Sequence, residues 1–146
     1  MTGLVLFWGR RSCQRLNTEG SAMAIDKRIS TKLSRFTEVF NKAREDQANE
    51  SDTVMFLIKF FEEVLGYDPL GGEITKEVAI KDRRCDFSVV VNTKVQFLVE
   101  AKSAGIKVLN AKHIEQAENY ASRLPINWVL LTYGLSWYPC QQRPSP

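Results

Sequence analysis

The sequence predicts an α/β fold, one mixed sheet with helices on its faces, in the order α-α-β-β-β-α-β. Three observations predict it. Two early stretches repeat apolar residues at helical spacing, three strand-like segments follow with short connections, and a further helix then leads into a short apolar run.

The first helix is read from Ile29, Leu33, Phe36, Phe40 and Ala43, which recur at spacings of four and three and so form one stripe. A polar stretch, residues 44–49, separates it from a second helix over residues 51–65. Ser51 or Asp52 is the expected cap, and Gly66 follows the end. Val54, Leu57, Ile58, Phe61 and Leu65 make its main face, while Phe56 and Phe60 add a second apolar side, so this helix should be covered on more than one side. Asp68-Pro69-Leu70-Gly71-Gly72 is a turn cluster.

Strand-like segments then occupy residues 74–80, 85–91 and 95–101, joined by the charged residues 81–84 and by the tight Asn92-Thr93. A helix over residues 110–124 is stopped by Pro125, and the run from Trp128 to Thr132 is of the buried-strand type. Residues 1–22, apolar and then arginine-rich, read as an extension outside the core, and Met23 opens a more ordinary beginning. Residues 23–138 make the domain. Residues 139–146, with three prolines in eight positions, read as a tail.

Composition narrows the function classes. A chain of 146 residues with 44% hydrophobic and 25% charged residues can bury the core of a single domain. The net charge of +3 permits a nucleic-acid partner without demanding one. Cys13, Cys85 and Cys140 form no CxxC pair, and one histidine cannot complete a zinc set, so neither a structural zinc nor a disulfide framework is expected. The longest apolar stretch, residues 54–65, is interrupted by Lys59, Glu62 and Glu63 and is too short to span a bilayer. The apolar start carries its positive charges after the apolar run, the reverse of a signal peptide. A soluble, cytoplasmic protein without a membrane partner is the expectation.

The candidate chemistry lies on the third strand. Side chains alternate along a strand, so Glu100 and Lys102 share a face. The preceding hairpin strand brings Asp86 beside them. An E-x-K pair on a strand is ordinarily a solvated face. Here, however, both charges interrupt a strand that otherwise looks buried, and Asp86 sits between Cys85 and the apolar residues 87–91. Buried charge is costly unless paired or metal-bound. Two carboxylates and a lysine at one end of a sheet are what phosphodiester hydrolysis requires: hard oxygen ligands for Mg²⁺, and a fixed cation near the phosphate. Gln116 and Tyr120 share a helix face with His113, which is read as a surface residue rather than a base.

In NESDT (49–53), RRCDFSVVV (83–91), FLVEAKS (97–103), HIEQAENYA (113–121) and LLTYGLSWY (130–138), the chain resembles the PD-(D/E)XK nuclease superfamily. It is most similar there to the N-terminal nuclease domain of type I restriction enzyme R subunits and related restriction endonucleases. The resemblance implies a restriction-endonuclease-like core and metal-dependent cleavage of DNA in a restriction or defence setting, with Mg²⁺ as cofactor and Mn²⁺ as substitute. By it, Asp86 and Glu100 are metal ligands, Lys102 is the catalytic lysine, Gln116 and Tyr120 are an accessory pair, and Glu50 is a further acid. The partners it implies are DNA and either other restriction subunits or a second copy of the chain. One departure is Tyr133, where that branch commonly has asparagine. Two other readings compete. One is a truncated nuclease-fold module that binds nucleic acid with little or no cleavage. The other is a scaffolding domain dimerising through an exposed Phe56 and Phe60 side. No Walker A motif is present, so any motor belongs to another chain.

Overall fold

In a computed structural model, residues 5–6, 27–106, 108–123, 125–126 and 128–141 are described. In chain order the elements are β1 (Val5–Leu6), α1 (Lys27–Glu45), α2 (Glu50–Glu63), β2 (Ile74–Ile80), β3 (Arg83–Val91), β4 (Lys94–Ala101), α3 (Ala111–Arg123), β5 (Trp128–Thr132) and β6 (Ser136–Gln141). The five longer strands form a mixed sheet in the order β6-β5-β4-β3-β2, with the two-residue β1 parallel to the start of β6. β4 and β5 run parallel because α3 crosses over between them, while β2, β3 and β4 form an antiparallel meander. No helix among the described residues is long and apolar enough to cross a membrane.

The sheet is covered on both faces. On one, α2 lays Leu57, Ile58, Phe60 and Phe61 against Phe87, Val89, Val99 and Trp137, and α1 covers α2 with Phe36 and Phe40. Phe60 meets Phe36 edge-on at 5.6 Å and Trp137 at 5.5 Å. Phe61 meets Phe87 edge-on at 5.4 Å. On the other face, α3 sets Ala117, Tyr120 and Ala121 against Leu98, Val129, Leu131 and Cys140. Gly134, at φ 97°, turns β5 into β6 directly under the Phe40 ring, where any Cβ would collide with that ring.

The second helix is covered on more than one side, as its two apolar faces require. This cover also removes the premise of the competing scaffolding reading, an exposed Phe56 and Phe60 side. Phe60 is buried under α1 and Phe56 is partly buried, so that surface is core rather than interface. The cap of α2 is Asn49, whose Oδ1 accepts the Asp52 N–H at 2.8 Å, rather than Ser51 or Asp52. Gly66 does close the helix, at φ 81°, with its N–H on the Glu62 carbonyl.

The charged connection is also shorter than expected. Lys81 and Asp82 alone make the turn, and Arg83 and Arg84 pair with Ile80 and Ala79 as the start of β3. Asn92 and Thr93, both at positive φ, form the tight β3–β4 turn. Two segments read as lying outside the core reach the sheet. Val5–Leu6 pairs with β6, and residues 139–141 belong to β6 itself. Pro139 is tolerated there because, among the described residues, β6 has no strand on its far side at that point, and an outer strand does not need every N–H. Cys13 and the rest of residues 7–26 and 142–146 lie outside the described residues.

Candidate active site

β4 ends at Ala101 with Glu100 directed to the α3 side, and the Lys102 N–H still donates to the Thr132 carbonyl at 2.8 Å. The β3–β4 ladder is registered from Val91–Lys94 to Phe87–Val99 and stops one step short of Asp86. There the Asp86 side chain takes over: its Oδ2 accepts the Ala101 N–H at 2.6 Å. A carboxylate thus occupies the place of a backbone carbonyl, which holds Asp86 at the end of the strand that carries Glu100.

Glu100 is 3% exposed. Its Oε1 accepts from Lys102 Nζ at 3.0 Å and from Gln116 Nε2 at 2.7 Å. The second Gln116 hydrogen goes to the Tyr120 hydroxyl oxygen at 3.0 Å, and that hydroxyl donates onward to the Arg84 carbonyl at 3.1 Å. Gln116 and Tyr120 therefore do converge on Glu100. The Tyr120 ring is buried in the α3-side core and only its hydroxyl reaches the site. Glu100 Oε2, by contrast, is buried with no hydrogen-bond partner. A buried acceptor without a partner is costly.

Glu50, in the first turn of α2, places Oε2 3.9 Å from Lys102 Nζ. Residues missed in the sequence hold it there. The Thr53 hydroxyl is fully buried; it donates to the Asn49 carbonyl at 2.8 Å and accepts the Ala104 N–H at 2.9 Å. The Ser103 hydroxyl donates to the Ala48 carbonyl at 2.6 Å. These bonds clasp the start of α2 to the segment that follows Lys102. The only signal for the clasp was the position of Thr53 and Ser103 within NESDT and FLVEAKS. His113 is engaged elsewhere: with Asn110 it makes a reciprocal cap on α3, accepting the Asn110 N–H on Nδ1 at 3.3 Å.

The electrostatics follow from burial and crowding. Burial pushes the Glu100 carboxyl up to about 7; Lys102 opposes that shift and Asp86 adds to it. Asp86 is also raised, by burial first, with the Ala101 N–H opposing and the Glu50 charge adding. Burial alone would lower Lys102, but the carboxylates of Glu100, Glu50 and Asp86 outweigh it and hold the ammonium charged. Burial, then Lys102, lowers His113, consistent with a neutral Nδ1 acceptor. Burial raises the Cys85 thiol, and the Glu100 and Asp86 charges raise it further, so it stays protonated and unreactive, donating to the Val99 carbonyl at 3.2 Å.

The site thus has two crowded carboxylates short of positive charge, a fixed ammonium, and an open carboxylate oxygen. Hard oxygen donors of this kind suit Mg²⁺ or Mn²⁺, which are commonly held by one or two carboxylates together with waters. Among the described residues no third Asp, Glu, His or Cys side chain joins them in a group that could hold an ion. Glu50 is a neighbour of Lys102 rather than part of such a set.

Residues 53–146 match the family described as the type I restriction enzyme R protein N terminus. The chain belongs to that family. The matched span includes Asp86, Glu100, Lys102, Gln116 and Tyr120 and begins just after Glu50. Membership in this R protein family ties the chain to restriction systems. No match was found among curated proteins or among solved structures.

Proposed function

We propose that this R protein N-terminal chain is a metal-dependent nuclease core of the PD-(D/E)XK kind that hydrolyses DNA phosphodiester bonds in a restriction system. The observation that carries the reading is the open Oε2 of buried Glu100, on a carboxylate already crowded by Asp86 and anchored by Lys102. The sheet with α1 and α2 on one face and α3 on the other is then a restriction-endonuclease-like core, whose outer strand β6 runs to Gln141.

In this reading Asp86 and Glu100 hold a Mg²⁺ or Mn²⁺ ion. When bound, the ion acidifies a water and offsets charge on the phosphate. The chain's own residues do the rest. Gln116 fixes Oε1, which leaves Oε2 as the free donor of Glu100. Lys102, kept charged by its three acidic neighbours, stands ready to steady the attacking water or the phosphate oxygens. Glu50 sustains that charge from the other side. Tyr120 anchors Gln116 to the backbone at Arg84, so the amide does not swing away from Glu100. DNA is the substrate, and the remaining restriction subunits or a second copy of the chain are the partners.

Incubating supercoiled plasmid with the protein and millimolar Mg²⁺ tests the reading. Nicking by the wild type that disappears in Glu100→Ala supports it. DNA binding without cleavage in either protein would favour a nucleic-acid-binding module instead.

A further inference from the structure

Among the described residues, Glu77 is the one non-glycine residue inside a strand whose backbone is left-handed, at φ 52°; Gln47, Lys81, Asn92 and Thr93 share that conformation but lie in turns. A residue with a Cβ resists this region, and such strain persists only where the surroundings hold it. In the β2–β3 register Lys76 faces Phe87 and Val78 faces Cys85, so Glu77 stands opposite Asp86.

The packing shows what happens at that step. Neighbours Leu98 and Val99 lie in the α3-side and α2-side cores respectively, so the two cores are opposite faces of the sheet. Residues an even number apart on one strand should share a face. Yet Ile74 is in the α2-side core, while Ile80 and, packed against it, Val78 are on the α3 side. On β3, Phe87 and Val89 are on the α2 side while Cys85 is on the α3 side. The hairpin therefore turns over once, and Glu77 with Asp86 is the pair at the turnover. This is also where the Asp86 side chain, instead of a backbone group, meets the Ala101 N–H.

We infer that Glu77 is a positioning residue for Asp86: its left-handed backbone turns the β2–β3 ladder over at the step that carries Asp86 and swings that carboxylate onto Ala101 and beside Glu100. The inference rests on the proposed role of Asp86, although the geometry is independent of it. The Glu77 side chain contributes little, since its ion pair with Arg84, at 3.1 Å, is well exposed on both sides. The conformation is what matters, and glycine or asparagine should supply it as well.

Amide hydrogen exchange of the metal-free protein reads the position of Asp86 through Ala101. Glu77→Gly and Glu77→Asn should keep the Ala101 amide as protected as in wild type. Glu77→Val, whose branched Cβ excludes this conformation, should lose at least tenfold protection there while amides of β5 keep theirs. It should also need at least tenfold more Mg²⁺ for a given rise in melting temperature. Glu77→Gly should melt above Glu77→Ala, the reverse of the usual order within a strand, and this comparison does not require the valine variant to fold. Ala101 protection unchanged in Glu77→Val, or Glu77→Gly melting below Glu77→Ala, would overturn the inference. A wild type that ignores Mg²⁺ would instead remove the nuclease reading, and Ala101 exchange would still decide whether Glu77 positions Asp86.

Discussion

The side-chain amide of Gln116 donates to Glu100 Oε1 at 2.7 Å, across the boundary between a helix and a buried strand end. That bond makes Gln116 part of the carboxylate's environment rather than of the solvated surface of α3. Gln116→Leu removes the donor while keeping the bulk. A hydrogen bond to a charged group contributes about 1.5–3 kcal/mol, so the unfolding free energy read from urea unfolding at neutral pH should fall by an amount in that range. A change of a few tenths would mean that water replaces the amide freely.

Glu100 also sets a pH dependence. Its folded value of about 7 lies above the ordinary 4.5, so the folded state binds more protons than the unfolded state between those values. Stability must therefore fall as pH rises from about 4.5 to 7 and level off above. The full effect is on the order of 3 kcal/mol at 1.4 kcal/mol per unit, and Asp86, also raised, acts with the same sign. Urea unfolding of the metal-free protein at pH 5.5 and pH 8 checks this. Wild type should be the more stable at pH 5.5, and Glu100→Gln should lose most of the difference. A wild-type stability that rises with pH over this interval would contradict the burial argument.

The clasp around Glu50 yields a third expectation. Thr53→Val keeps the shape of the side chain but leaves the buried Ala104 N–H without its acceptor, at a cost of about 1–3 kcal/mol. Thr53→Ser, which retains the hydroxyl, should recover most of that loss. Melting curves of the three proteins give the comparison. Equal losses in the valine and serine variants would assign the effect to packing and not to the bridge.

Much of this was legible in the residues. The stripe from Leu33 to Ala43, the apolar runs of β3 and β4, and the Asn92-Thr93 turn follow from local periodicity and turn chemistry, and the structure places them where those signals point. The convergence of Glu100, Lys102, Gln116 and Tyr120 was legible too, because a shared strand face and a shared helix face are local properties. What was not legible depends on distant contacts. β6 was hidden because Pro139 is a poor strand former, tolerated here only because, among the described residues, no strand pairs with β6 on its far side at that point. That Phe60 needed cover was legible, but nothing local reveals that α1 and Trp137 supply it. The turnover at Glu77 was invisible since simple alternation is the default for a strand and glutamate carries no signal for positive φ.

The central claim is that Asp86 and Glu100 together hold a divalent ion, and metal-dependent melting tests it without DNA. An ion that binds only the folded state must stabilise it, increasingly so as its concentration exceeds the dissociation constant. The melting temperature of the wild type at neutral pH should rise through millimolar Mg²⁺ or Mn²⁺. Glu100→Ala should lose that rise, while being neutral or even more stable in metal-free buffer, because it removes one of two crowded carboxylates. The same metal-dependent rise in wild type and Glu100→Ala would place the ion elsewhere and contradict the account.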